Sequence, residues 1–92
     1  MAKFSDIHTR WMRDAKYREA YERIGPEMEI AFAISEARHR ARLSQQQLAK
    51  KIGTSQSMVA RWEGGRTAPS TNTLRRVAKA TASRLHVELV PA

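Results

Sequence analysis

The sequence predicts an all-α fold: a bundle of about five helices, closed by one C-terminal strand that pairs in a dimer. Three observations carry this. Apolar residues recur at helical spacing between Gly and Pro punctuation. Ser stands before three of the periodic stretches, where a helix N-cap belongs. Only in Leu85–Val90 does the period fall from 3.6 to 2, with Leu85, Val87 and Leu89 on one face.

The elements follow in chain order. Asp6 to Ile24 holds Ile7, Trp11, Ala15, Tyr17, Tyr21 and Ile24 among mixed charges and reads as an N-terminal helix. Gly25-Pro26 marks a boundary. Proline suits the first turn of a helix, and Glu27 and Glu29 suit its positive end. A second helix is expected over Glu27–Arg42, with Ile30, Ala33, Ile34, Ala37 and Ala41 along one stripe. Ser44-Gln45-Gln46-Gln47 has the form of a capping box and opens a short helix that stops at Gly53. Ser55 caps the next, Gln56–Glu63, with Val59 and Trp62 turned inward and Gly64-Gly65 at its end. Ser70 caps the last, which buries Leu74, Val77 and Ala78. The expected organisation is an arm (1–25), a helical domain (26–82) and a dimerisation strand (83–92).

Extended residues leave unpaired N–H and C=O groups, and nothing else in the chain reads as a strand. Pairing with the same segment of a second copy, through Leu85, Val87 and Leu89, is the expected solution. A helical segment of about sixty residues also gains stability from a dimer.

Seventeen Lys and Arg against nine Asp and Glu give 92 residues a charge of +8. Ten of those cations and only four of the acids fall between residues 26 and 82, so the field is strongest there. Such a surface favours polyanions. With no cysteine, disulfides and thiolate ligands are excluded. His8, His39 and His86 are scattered without a carboxylate at ligand spacing, so neither a metal nor another cofactor is expected. No nucleophile–base constellation stands out, and a binding protein rather than an enzyme is expected. The absence of a long apolar run argues against membrane association and for a cytoplasmic location.

Two short helices joined by a Gly-containing turn, Gln45–Ile52 and Gln56–Glu63 about Gly53-Thr54-Ser55, form a helix-turn-helix. The major groove of double-stranded DNA admits a helix, and base edges are read best by bidentate Gln, Asn or Arg. Gln56 at the helix start suits an adenine edge, and Arg61 a guanine edge or a phosphate. Gln45 and the helix start at Ser44–Gln47 present donors to the DNA backbone. The Gly64-Gly65-Arg66-Thr67 loop brings a guanidinium and amides to a phosphate. Ser55, at the N-cap, is counted with this face. Lys50, Lys51, Arg75 and Arg76 are weaker candidates, since solvated charges are common on any helix.

The stretch Ile34–Ala82 resembles the Xre/Cro/C1-type repressor domain. Ala37-Arg38, Leu43-Ser44-Gln45-Gln46-Gln47-Leu48-Ala49, Gly53-Thr54-Ser55-Gln56-Ser57-Met58-Val59-Ala60-Arg61-Trp62-Glu63-Gly64 and Pro69-Ser70 carry the likeness. It implies that Gln45, Gln56, Ser57, Met58 and Arg61 face operator DNA, and that Glu63 is structural and pairs with Arg38. The whole chain is also similar to antitoxins of the HigA type, in its aromatic arm (Trp11, Tyr17, Tyr21), repressor domain and terminal strand. That likeness implies a small RelE-like ribonuclease toxin as partner, held by the arm aromatics, and repression of the protein's own operon. The sequence departs from it in charge. Such toxins are usually basic and this chain is +8, so the toxin contact would be apolar or locally acidic, around Asp14, Glu19 and Glu22. A dimeric repressor with no toxin partner is the alternative.

Overall fold

A computed structural model describes residues 13–91. Within them lie four helices: α1 (Ala15–Arg40), α2 (Gln45–Ile52), α3 (Gln56–Glu63) and α4 (Thr71–Ala80). Among the described residues the expectation of about five helices is corrected to four, because the two placed on either side of Gly25-Pro26 are one there. Proline's fixed φ lies in the helical range, and its cost comes from a missing N–H, from a clash of its ring with the carbonyl four residues back and from crowding of the preceding residue. Part of that crowding falls on the preceding Cβ, which Gly25 lacks. The pair that reads as a boundary therefore sits inside a helix of 26 residues.

The expected C-terminal strand is corrected as well: residues 83–91 carry no regular secondary structure, and no strand lies among the described residues. A ladder needs a second segment, and the described residues offer none beside the tail. The tail's root is nonetheless fixed. Ser83 N donates to Ala78 O at 2.8 Å, and Arg40 Nη2 donates to Ser83 Oγ at 3.0 Å. Beyond it Val87, Leu89 and Val90 stand 71%, 96% and 72% exposed.

The three short helices start as their serines predict. Ser44 Oγ accepts from Gln47 N at 3.0 Å while Ser44 N donates to Gln47 Oε1 at 2.8 Å, completing the capping box. Ser55 Oγ accepts from Met58 N and Ser70 Oγ from Thr73 N, each at 3.2 Å. Gly53 ends α2 in the left-handed region, at φ 75°, with its N–H donating to Ala49 O. A Cβ there would stand 3.1 Å from Arg76 Nη2, which itself donates to Ile52 O. Arg76 of α4 therefore holds the carbonyl end of α2 at the turn into α3.

Helix α3 packs on α1 and α2, and α4 packs on α2. Ile34, Leu48, Ala49, Ile52, Val59, Trp62 and Val77 close the core, with Leu43, Met58 and Leu74 against its edge. Trp62 is 5% exposed, in the core position expected of it. Ala33, placed on the buried stripe by its spacing, is exposed, and Ala31 is buried in its stead. No helix among the described residues is long and apolar enough to cross a membrane.

Candidate nucleic-acid interface

The outer face of α3 is built by the core on its inner face. Val59 and Trp62 anchor the helix inward, which leaves Gln56, Ser57 and Arg61 exposed on the other side. Ser55 is exposed at the N-cap, and its Oγ lies 3.1 Å from Ser57 Oγ. Gln45, the first residue of α2, comes to the same end of the motif: Gln56 Nε2 donates to Gln45 Oε1 at 2.7 Å. The two starting residues of the helix pair thus form one amide surface across the turn.

Behind that surface stands an ion pair. Arg38 donates twice to Glu63, from Nε to Oε2 at 2.7 Å and from Nη2 to Oε1 at 2.9 Å. Its Nη1 caps the carbonyl of Leu43 at 2.9 Å. The side chains are 11% and 9% exposed. Such a two-pronged pair in a nearly dry setting is held in one geometry. Gln45 Nε2 joins it, donating to Glu63 Oε1 at 3.3 Å. Burial would raise the Glu63 carboxyl. The hydrogen bonds from Arg38 and Gln45, with the Arg38 charge, outweigh it and hold the group below the ordinary carboxylate value. Arg38 is raised correspondingly, chiefly by its hydrogen bond to Glu63.

The chain Arg38–Glu63–Gln45–Gln56 therefore runs without a break from the helix core to the exposed start of α3. The Arg38–Glu63 contact is where the repressor-domain resemblance implies it. The two glutamine contacts were not foreseen from the sequence, which treats Gln45 as a phosphate ligand and Gln56 as a base reader independently. Their one common signal is position, since each opens a helix behind a serine cap.

On the far side of α3 the loop 64–70 turns at Gly65, at φ 72°. Arg66 N returns to Arg61 O at 3.1 Å, and the Arg66 side chain is exposed beside a half-buried Thr67. Lys50, Lys51, Arg75 and Arg76 are exposed too, though Arg76 is committed to the end of α2. Met58 differs from its companions. It is half-buried and packs against the core, so only part of it faces outward. Of the arm residues named for a partner, Trp11 and the side chains of Tyr17 and Tyr21 lie outside the described residues. Leu85 is half-buried at the tail's root, whereas Val87 and Leu89 are exposed.

This arrangement gives α3 an exposed face that carries Gln56, Ser57 and Arg61. A family model for the helix-turn-helix matches residues 26–86. The chain belongs to the helix-turn-helix family, of the Xre/Cro/C1 type. It is on that ground a DNA-binding transcription regulator. No curated protein and no solved structure shows a significant match to the chain. The match covers all of α2, α3 and α4 and the part of α1 that follows Gly25.

Proposed function

We propose that this regulator is a repressor that reads double-stranded operator DNA with α3 in the major groove. In this reading Gln56, Ser57 and Arg61 meet base edges, with Met58 making an apolar contact at the margin. Gln45, Ser55, Arg66 and Thr67 hold the phosphates to either side and set the register. The observation that carries it is the Gln56–Gln45 hydrogen bond of 2.7 Å, which orients the exposed Gln56 amide against the half-buried Gln45 at the starts of the two helices. The protein acts as a homodimer paired through its C-terminal segment, in the cytoplasm, and needs no cofactor. Band shifts with a selected operator and a scrambled control test the reading. Equal affinity for both would sink it.

The partner proposed for this repressor is a small RelE-like ribonuclease toxin, which would make it a HigA-type antitoxin acting on its own operon. Support comes from the sequence likeness of the arm, with Trp11, Tyr17 and Tyr21 as contact residues. The second reading is a repressor with no toxin, and the chain's own charge of +8 favours it against a basic partner. A tagged pull-down from native cells with intact-mass analysis separates the two. A stoichiometric small protein, lost on deletion of 1–25, supports the antitoxin. Recovery of the dimer and DNA alone supports the simple repressor.

A further inference from the structure

Helices α1 and α4 each pack against the middle of the motif, α1 on α3 and α4 on α2, but not closely on one another. An open groove of about 290 Å³ runs along the seam between them. Its floor is apolar, from Ala33 and Ala37 of α1 and Leu74 and Ala78 of α4, and Leu85 beyond α4 forms one wall. Thr81, buried at its edge, already donates from Oγ1 to Val77 O at 2.8 Å. No buried side-chain polar atom among the described residues lacks a partner. A polar body laid on this floor would therefore lose its water without compensation.

The rim differs. Arg40 and Arg84 stand there against one carboxylate, Glu36, which leaves one positive charge in excess. Arg40 lies 3.7 Å from Glu36 and donates to Ser83 Oγ at 3.0 Å, so both of its terminal nitrogens are engaged. His86 faces Glu88 at 3.6 Å. Arg84 is exposed and forms no ion pair among the described residues.

We propose that the groove binds a small amphipathic monoanion, an alkyl carboxylate whose chain lies between α1 and α4 and whose head meets Arg84. A guanidinium fork matches a carboxylate. One negative charge closes the balance of the rim, where a phosphate dianion would exceed it. Size points the same way. Ligand pockets begin at roughly 300 Å³, whereas a protein partner usually covers about 800 Å² of surface. No residue of α2 or α3 lines the groove, so a ligand there and DNA on α3 use different side chains. The site stands independently of the DNA reading.

The test is a titration of the isotope-labelled full chain with octanoate, without DNA, followed by amide chemical shifts. Saturable shifts are expected at Ala33, Ala37, Ala78 and Ser83–His86, with a Kd on the order of 0.1–1 mM for so small a ligand. Acetate, the head without the chain, should leave the groove amides unshifted. Octylammonium, the chain with the opposite charge, should bind more weakly than octanoate. Arg84→Glu should weaken octanoate about fivefold, the upper range for an exposed ion pair, and strengthen octylammonium. Ala33→Phe should remove the shifts by filling the groove, with helical circular dichroism unchanged because position 33 is exposed. Equal shifts with acetate would mark an adventitious anion only, and equal binding of octylammonium would mark unspecific apolar adsorption. Either overturns the proposal, as does an octanoate affinity that survives either substitution. Absence of groove shifts overturns it too and would leave the groove to a macromolecular partner. Selected and scrambled operators binding alike would sink the DNA reading and leave these titrations as they are.

Discussion

The first residue of α3 is hydrogen-bonded to the first residue of α2: Gln56 Nε2 donates to Gln45 Oε1 at 2.7 Å. Gln45 in turn donates to Glu63, which Arg38 holds from two sides. A flexible exposed glutamine loses rotamer freedom when it binds a base edge. Here part of that loss is incurred on folding, and the amide is oriented before DNA arrives. Gln56→Ala should weaken the selected operator by about 1–3 kcal/mol and relax preference at one base step. Gln45→Ala should do part of the same through Gln56, so a double-mutant cycle should give a coupling of about 0.5–3 kcal/mol. Additive losses in quantitative band shifts would show that the two amides act separately.

Arg66 sits in the loop after α3, exposed and away from the amide pair. Arg66→Ala should weaken selected and scrambled DNA alike. The slope of log affinity against log salt should fall by about 1, the value for one phosphate contact. A change confined to the selected operator would make Arg66 a base reader instead.

Glu63 is held ionised in a site that is nearly closed to water. Its lowered value means that the folded state binds the proton less readily than the unfolded chain does. The pair therefore contributes its full stability above the ordinary glutamate pKa of about 4.3, and loses it as pH falls toward and through the depressed folded value. Glu63→Gln should cost about 2–3 kcal/mol at neutral pH, since Arg38 keeps its charge but loses its counter-ion. The variant should also show a shallower acid limb in chemical denaturation measured across pH. An acid limb identical to the wild type would place the pH dependence elsewhere.

Gly53 turns the chain from α2 to α3 at φ 75°, under Arg76. An L side chain in that region costs about 1–2 kcal/mol, and the added Cβ meets the guanidinium that caps Ile52. Gly53→Ala should lower the folding stability by that amount, read as a fall in thermal midpoint, and weaken DNA binding beyond it, because the turn sets the angle between α2 and α3. Gly65→Ala, with open space around its Cβ, should show the backbone cost alone. Equal effects of the two on DNA binding would count against the role of the Arg76 cap.

With one α3 per copy and two copies per operator, the bound site should be an inverted repeat. Its half-sites should lie roughly 34–36 Å apart, about one helical turn. Footprinting of the selected operator checks this, and a single protected half-site at saturation would argue for a monomer on DNA.

Much of the site was legible from the order of residues because its determinants are local. A serine three residues before a free amide makes a cap whatever lies around it, so the starts at Ser44, Ser55 and Ser70 could be placed without a fold. The inward turn of Val59 and Trp62, and with it the outward turn of Gln56 and Arg61, follows from helical spacing once α3 is granted. Two readings failed where a local rule met a wider balance. Gly25-Pro26 has the form of a break, yet the glycine relieves the crowding that proline imposes on its predecessor, and α1 passes through. Alternation from Leu85 to Leu89 has the form of a strand, but a ladder is a property of two segments and the described residues supply one.

The sequence by itself determined the helix-turn-helix, its caps, its outward-facing amides and guanidiniums, and its concentration of positive charge, since each depends on residues within a few turns of one another. The tertiary structure decided what holds them. The bidentate hold of Arg38 on Glu63 spans 25 positions, Arg76 reaches back 24 to the end of α2, and Gln56 meets Gln45 across 11. Such contacts depend on how helices cross, which is set by how Ile34, Leu48, Val59 and Val77 fill a common interior. No spacing rule along the chain carries that information, because packing is decided in three dimensions by all of these side chains together.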